Sequence, residues 1–276
     1  MNHTSLTPNK ETAYTGFVAN GFIALVVLFL LIPAIIFTLV YQAQESMTTP
    51  VMIICIMLMI ALLIGSKGFF IQQPNQARVM IFFGNYRGTY KRSGFFWTNP
   101  FMTIMKISLR IRNMDIQPIK VNDKIGNPVM IGMVLVWKIN DTYRATFDID
   151  SESLADGKTG YSTAIQEFVS IQSDAALREV TGQFAYDEED NSTNATTLRG
   201  GGDEINELLE QKINERLSMA GIEVVEARLN YLAYAPEIAA VMLRRQQASA
   251  IISAREKIVE GAVSMVKMAL DQLSKE

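Results

Sequence analysis

The sequence has almost none of the residues from which thiol-based and imidazole-based sites are built. Its 276 residues include one cysteine, Cys55, and one histidine, His3. A single cysteine excludes a disulfide framework and a thiolate metal cluster within one chain. A single histidine argues against a multi-histidine metal site and against a histidine-based catalytic triad. We therefore expect no cofactor and no metal.

Charge is also scarce, and it is unevenly placed. Charged residues make up 19% of the chain, and the formal net charge is −3. Residues 67–130 carry ten Lys/Arg and two Asp/Glu, a net charge of +8. Residues 140–210 carry four Lys/Arg and sixteen Asp/Glu, a net charge of −12. Opposite charges in two parts of one chain indicate that the two parts meet different partners.

Long apolar runs are present at the N-terminal end, after a polar tail of residues 1–16. Residues 17–40 and 51–66 contain no charged side chain. The first run is long enough to cross a hydrocarbon core of about 30 Å at about 1.5 Å per residue, and the second is shorter. Pro33 lies inside the first run, where it predicts a mild kink. Together they predict a transmembrane helical hairpin over residues 17–66, rather than a cleaved signal peptide or a buried helix pair.

Basic residues predict the orientation of this hairpin. The connection between the two runs contains Glu45 and no Lys/Arg, whereas Lys67 and four further basic residues follow the second run before residue 93. Basic residues next to a span are retained on the cytoplasmic side. We therefore predict a multi-pass protein of the cell (inner) membrane, with both termini and the following domain in the cytoplasm.

After Lys67 the pattern changes to short β-type runs. These runs are ARVMIFF, YRGTY, FFWTNPF, MTIMKISLRIRNMDI and VMIGMVLVWKI, and they are bounded by Gly, Asn, Asp and Pro residues. The turn signals are Gly84-Asn85, Ser93-Gly94 and residues 122–128. Apolar runs that are rich in β-branched and aromatic residues and bounded in this way predict an antiparallel sheet.

Helical patterns follow the β-type runs. Residues 161–180 predict an amphipathic helix with Ile165, Phe168 and either Ile171 or Gln172 on one side. Residues 203–220 predict a second helix, and Gly221 is the expected cap at its end. The stretch IEVVEARLNYL after Gly221 predicts a strand. The apolar face of the second helix is made of Ile205, Leu208, Leu209, Ile213 and Leu217.

The last segment, residues 233–276, predicts a long helix with an apolar seam. Gly261 is the only interior residue that disfavours a helix between Pro236 and about residue 273. A heptad-like pattern favours a helix that packs on copies of itself. The alternative is an ordinary amphipathic helix on the domain. The apolar residues of the seam include Ile252, Val259, Val263, Val266, Leu270 and Leu273.

Five stretches follow one another over residues 67–270: QQPNQARVMIFFGNYRGTYKRSGFFWTNPF, KVNDKIGNPVMIGMVLVWKINDTYRATFDID, QSDAALREV, AGIEVVEARLNYLAYAPEIA and RRQQASAIISAREKIVEGAV. In this order they resemble the band 7, or SPFH, family, which includes stomatin, prohibitin and flotillin. The chain is most similar to prokaryotic members with a two-helix N-terminal anchor.

The resemblance implies an α+β fold in which a membrane-proximal sheet subdomain, residues 67–147, precedes an α/β subdomain, residues 148–232. Residues 187–204 of the second subdomain are polar, acidic and Gly-rich, which predicts a flexible surface loop. The C-terminal amphipathic or coiled-coil helix completes the fold. The resemblance also implies homo-oligomeric rings or cages on the membrane, which enclose other membrane proteins, regulate proteases, modulate channels or organise lipid microdomains.

The stretch FFGNYRGTYKRSGFFW, residues 82–97, interleaves basic and aromatic side chains. In the family pattern it lies near the membrane, where basic residues would meet anionic headgroups and aromatic rings would enter the interface. The alternative is that the aromatic residues form the sheet core and the charges a solvated edge. No nucleic-acid module is recognisable, so nucleic acid is not an expected partner. The predicted membrane-contact residues are Lys67, Arg78, Arg87, Lys91, Arg92, Phe95, Phe96 and Trp97.

Stretches that resemble catalytic sites are incomplete. The acidic residues 187–190 lack the ligand spacing of a cation loop, so a solvated loop is expected. Residues 200–202 lack the Lys-Ser/Thr ending of a phosphate loop. A Ser–Lys dyad stays open, but nothing places a particular pair together. We expect a non-enzymatic membrane scaffold; an accessory subunit of a membrane protease or transporter is the alternative, and a membrane hydrolase is a third reading.

Overall fold

The computed structural model describes residues 10–45, 49–149, 160–187 and 196–274, and within them the chain is an α+β protein. In chain order its elements are β1 (Ala19–Asn20), α1 (Gly21–Glu45), α2 (Thr49–Gly65), β2 (Phe69–Gln72), β3 (Gln76–Phe82), β4 (Asn85–Tyr90), β5 (Gly94–Trp97), β6 (Met102–Ser108), β7 (Arg112–Asn122), β8 (Pro128–Ile139), α3 (Thr142–Phe147), α4 (Gly160–Thr181), α5 (Gly202–Leu217), β9 (Ile222–Tyr234) and α6 (Pro236–Leu273).

Two compact units are built from interleaved segments of the chain. Residues of the long elements β8 and β9 belong to both units. The sequence, by contrast, predicted two subdomains that follow one another along the chain, residues 67–147 and 148–232. The first unit comprises Met1–Asn113, Val136–Gln172 and Ile213–Glu226, and the second comprises Met114–Leu135, Ser173–Lys212 and Ala227–Glu276.

Helix α1 is the one helix in the described part of the chain that is long and apolar enough to cross a membrane, over Gly21–Tyr41. It begins four residues later than the predicted run because Ala19 and Asn20 pair with β5 as strand β1. The Asn20 Oδ1 accepts a hydrogen bond from the Phe22 backbone N–H at 3.0 Å. An asparagine at this place satisfies one of the N–H groups that a helix start leaves free.

Helix α2 is shorter, with 17 residues. At about 1.5 Å per residue it is about 25 Å long, which is less than a typical hydrocarbon core. The transmembrane hairpin over residues 17–66 is therefore not confirmed, and the second crossing stays a prediction. The two helices contact each other, with the Thr38 Oγ1 lying 3.9 Å from the Cys55 Sγ.

Two antiparallel sheets in the first unit agree with the predicted β-type runs. One has the strand order β4-β3-β6 and the other β1-β5-β2. Between β3 and β4 the chain turns at Gly84, which has a φ of +82° that glycine adopts without strain. Where the inner faces meet, Phe70, Met80 and Tyr90 form a core cluster, and Phe96 packs against it.

The remaining strands form a third sheet with the order β7-β8-β9. Helix α5 buries Ile205, Leu209 and Ile213, and Leu217 at its end is also buried, as its apolar pattern predicts. A short 3-10 turn follows and ends at Gly221, whose φ of +69° is the left-handed conformation expected of the cap.

Helix α3 was not predicted from the sequence. Its six residues are too few to show a helical period, so only a capping signal marks it. The Asp141 carboxylate accepts hydrogen bonds from the backbone N–H groups of Tyr143 and Arg144, at 2.9 and 3.1 Å. Asp141 is thus the N-cap that starts this helix.

Candidate functional site

Aromatic side chains at the base of α1 and α2 form a cluster that we call the aromatic platform (Phe22, Phe69, Phe95 and Trp97). The Phe95 ring stacks on Phe69 with ring centroids 5.5 Å apart, and it meets Phe22 of α1 edge-on at 5.2 Å. The Trp97 indole N–H donates a hydrogen bond to the Gly65 carbonyl at the end of α2, at 2.8 Å. The platform therefore joins β5 to both apolar helices.

The three consecutive aromatic residues of β5 divide between two faces, because successive side chains of a strand point to opposite sides. Phe96 lies against Phe70 and Tyr90 in the sheet core, with ring centroids 5.9 and 5.1 Å away. Phe95 and Trp97 lie on the opposite side, beside the apolar helices. Of the three predicted membrane-contact aromatics, Phe96 therefore has the surroundings of a core residue.

The basic residues predicted to meet the membrane also differ in their surroundings. Lys67, Arg87 and Arg92 are exposed. Arg78 is half-buried, and its guanidinium donates to the Ile71 carbonyl at 2.7 Å. The same group lies 4.9 Å from the ring of Phe70, and burial lowers the pKa of Arg78 from its ordinary value. The Arg78 side chain thus contacts the protein itself.

Lys91, the fifth basic residue, is held by the N-terminal part of the chain. Its Nζ lies 2.6 Å from the Glu11 Oε1. The other carboxylate oxygen of Glu11 accepts a hydrogen bond from the Thr142 backbone N–H at 3.3 Å. Glu11 therefore links the N-terminal segment both to the end of β4 and to the start of α3.

Residues 10–16, which the sequence assigned to a polar tail, form a strap along the edge of β4. The Thr89 N–H donates to the Thr12 carbonyl at 2.8 Å, and the Thr89 carbonyl accepts from the Tyr14 N–H at 3.1 Å. Gly88 permits this approach because a Cβ at that position would lie 2.6 Å from the Tyr14 Cα. The strap is thus a paired segment of the first unit.

Helix α6 presents a second candidate surface. It contacts its own unit through the half-buried side chains of Ile238, Met242 and Gln246. After Gln246, the described side chains are exposed apart from Ser253, which is half-buried. Five residues of the predicted seam expose 58–63% of their surface: Ile252, Val259, Val263, Val266 and Leu270. Leu273 is helical, and its side chain lies outside the described part.

A second apolar row on α6 was missed in the sequence. Ile251, Ile258 and Met265 expose between 55 and 71% of their surface and lie beside the seam. Their seven-residue spacing is the signal that could have revealed them. The apolar surface of α6 is therefore wider than the seam alone.

Asp187 anchors the start of α6. Its carboxylate accepts hydrogen bonds from the Tyr234 hydroxyl at 3.1 Å and from the Gln246 Nε2 at 2.8 Å. Tyr186 lies on Tyr234 with ring centroids 3.9 Å apart. Burial, together with the charge and hydrogen bond of Asp187, raises the pKa of Tyr234 above its ordinary value. The expected solvated loop is thus wrong for Asp187, and residues 188–195 lie outside the described residues.

The glycine-rich end of the predicted loop, residues 200–202, leads directly into α5. The Gly201 N–H donates to the Thr197 carbonyl at 2.8 Å, and Gly202 is the first residue of the helix. Within the ranges that the structure describes, no group of three or more His, Cys, Asp and Glu residues is placed to hold a metal ion.

These features define a class of protein in which an α+β domain adjoins an N-terminal apolar helix and continues into a long exposed helix. The SPFH domain / Band 7 family model matches residues 70–263, which is most of the chain. The chain belongs to the SPFH domain / Band 7 family, and the resemblance seen in the sequence is confirmed. No curated protein matches the chain.

Membership of this family is consistent with a general role as a membrane scaffold. Its members are generally non-enzymatic and typically oligomerise in membranes. Together with helix α1, membership indicates that this chain associates with a membrane.

Proposed function

We propose that the chain is a non-enzymatic integral membrane scaffold that assembles into a homo-oligomeric ring or cage. The assembly organises a membrane microdomain or confines other membrane proteins. The observation that carries this proposal is the exposed apolar surface of α6, where five seam residues expose 58–63% of their surface. A contiguous exposed apolar surface of this kind marks an interaction site.

The energy available from this surface is large. Burial of one Val, Leu or Ile side chain contributes about 1.5–3 kcal/mol. A seam of five such residues therefore favours association with a partner helix over exposure to water. The heptad-like spacing favours a second copy of the same helix as that partner.

The aromatic platform supports the membrane part of the proposal. Phe95 and Trp97 lie beside the start of α1 and the end of α2, and aromatic rings with polar tips are favoured at the membrane surface. Lys67, Arg87 and Arg92 are exposed and available to anionic headgroups, where each contributes about 1 kcal/mol. Anionic lipid is thus the lipid partner we propose.

The strap supports a return of the chain through the membrane. It precedes α1, yet it pairs with β4, which follows α2. A backbone pair cannot form across a bilayer, so the strap and β4 lie on the same side. If α1 crosses the membrane, α2 must bring the chain back. This reasoning favours the hairpin, and the basic residues that follow α2 favour the cytoplasm as the side of both termini.

Labelling with a membrane-impermeant maleimide tests this topology. In a Cys55→Ala background, Ser46→Cys is expected to react on intact cells, whereas Lys10→Cys and Ser274→Cys react only after permeabilisation. Reaction of Lys10→Cys on intact cells would overturn the orientation. Protection of all three in intact cells, together with rapid reaction of all three once the membrane is opened, would mean that α1 does not cross.

The mass and shape of the extracted protein test the scaffold itself. In nanodiscs, light scattering and single-particle imaging are expected to give a ring or cage of many copies. A monomer or small complex would overturn the proposal. Co-purification of one stoichiometric protease or transporter with such a small complex would instead favour an accessory subunit, the second candidate, which has the same platform and anchor.

A further inference from the structure

An apolar groove of about 380 Å³ opens between α1 and α2, where the two helices meet the aromatic platform. It extends along α1 from Ile23 to Leu31 and is closed at its base by Trp97. The lining side chains are apolar apart from the Trp97 indole N–H, and the Gly65 carbonyl already accepts that hydrogen bond. The groove therefore offers a ligand apolar contacts and no free polar side chain.

Small residues hold this groove open. Ala24 on α1 and Ala61 on α2 both line it. Several of the larger lining side chains, such as Ile23 and Leu31, expose 66 and 43% of their surface, so the groove is reached from the side of the helix pair. A molecule in the surrounding bilayer could enter without any movement of the backbone.

We propose that this groove holds one acyl chain of an anionic phospholipid, with the phosphate near Lys67. The inference rests on the membrane anchoring in the proposed function. The groove runs along the helix pair for about 12 Å, at about 1.5 Å per residue, which is the direction of acyl chains beside a spanning helix. Its platform end carries the aromatic residues of a membrane surface, and the exposed Lys67 lies two residues after Gly65.

Charge distinguishes this occupant from a second copy of α1 or α2. The apolar runs of these helices, residues 21–40 and 51–65, contain no acidic side chain that could meet Lys67. A phospholipid supplies both an acyl chain for the apolar lining and a phosphate whose charge complements Lys67. The lining and Lys67 together therefore favour a phospholipid over a second helix.

Ala61→Phe tests the groove because the ring obstructs it without introducing charge. The matched control is Ala34→Phe, at an exposed position of α1 outside the groove lining. After thorough detergent washing, the phospholipid that remains per protein is measured by mass spectrometry. The unmodified protein and Ala34→Phe are expected to retain anionic phospholipid, whereas Ala61→Phe retains at least about tenfold less, because burial of two or three methylenes is lost.

Lys67→Gln tests the headgroup separately. It is expected to lower the preference for anionic over zwitterionic phospholipid about fivefold, the effect of about 1 kcal/mol per basic residue. Lys124→Gln, in the second unit, is the control and should leave the preference unchanged. Equal retention of both lipid classes by Lys67→Gln and the unmodified protein would overturn the phosphate assignment.

Photocrosslinking of the unmodified protein identifies the occupant directly. In nanodiscs that contain a phospholipid with a photoactivatable acyl chain, crosslinks are expected on peptides of the groove and should disappear in Ala61→Phe. Crosslinks spread evenly around α1, or equal lipid retention by the two Phe variants, would overturn the inference. Extraction of the protein from membranes by alkaline carbonate would instead contradict the anchoring on which the inference rests.

Discussion

Replacement of Val259, Val263 and Val266 with aspartate is expected to reduce the assembly to small complexes while membrane insertion stays intact. Each valine exposes 61–63% of its surface in the single chain, so the substitution disturbs little packing within it. In the proposed assembly, each loss of a buried valine costs about 1.5–3 kcal/mol. Three losses weaken a helix contact by about a thousandfold or more, since 1.4 kcal/mol is a factor of ten.

The control for the seam is a triple substitution of the same kind on the other side of the helix. Ala250, Ala254 and Ser264 are exposed and lie outside the seam and the second apolar row. Their replacement with aspartate adds the same charge to α6 and should leave the particle mass unchanged. Mass photometry of both variants compares them directly. A particle of unchanged mass in the valine variant would contradict the assignment of the seam.

Elements that are determined by neighbours in sequence could be predicted well. In α5 the apolar spacing correctly predicted that Ile205, Leu209 and Ile213 are buried. In α4 the same reasoning left two alternatives, and Ile171 proves to be exposed whereas Gln172 is half-buried. Six residues from Ile165 correspond to about 120° around a helix, so Ile171 could not share its face.

Features that depend on distant contacts could not be predicted. The strap looks like a polar tail because the groups that hold it are far away in the chain; the Tyr86 hydroxyl, which contacts Thr12, is 74 residues distant. Asp187 looks like part of a solvated acidic loop because its partners, Tyr234 and Gln246, are 47 and 59 residues away. Composition alone carries no signal for such pairs.

The candidate membrane site was only partly accessible to sequence reasoning for a related reason. Successive side chains of a strand point to opposite faces, so the sequence alone places Phe96 on one face of β5 and Phe95 and Trp97 on the other. Which of the two faces meets the apolar helices depends on the pairing of β5 with β1 and β2. Strand β1 has two residues, too few to show a period. The direction of the aromatic face therefore needed the three-dimensional structure.

Gly88 should be the position where the smallest substitution releases the strap. Gly88→Ala places a Cβ 2.6 Å from the Tyr14 Cα and 2.7 Å from the Tyr14 nitrogen, and backbone atoms cannot rotate away as a side chain does. The strap is expected to detach, with the loss of its two backbone hydrogen bonds to Thr89. Each bond contributes about 0.5–1.5 kcal/mol, so protection of the Tyr14 amide against hydrogen exchange should fall about 10- to 100-fold.

Gly84→Ala is the matched control, because it separates backbone strain from the clash. Both glycines have positive φ, +82° at Gly84 and +132° at Gly88, so alanine is strained at each of them. A Cβ at Gly84 meets nothing within 4 Å. Gly84→Ala should therefore lower global stability without changing hydrogen exchange at the Tyr14 amide.

If Gly88→Ala fails to fold, Glu11→Gln provides a milder release of the strap, because it removes the ion pair with Lys91. If the Tyr14 amide were as well protected in Gly88→Ala and Glu11→Gln as in the unmodified protein and in Gly84→Ala, the strap pairing would contribute nothing to the structure. The same-side topology that this pairing supports would then lose its basis.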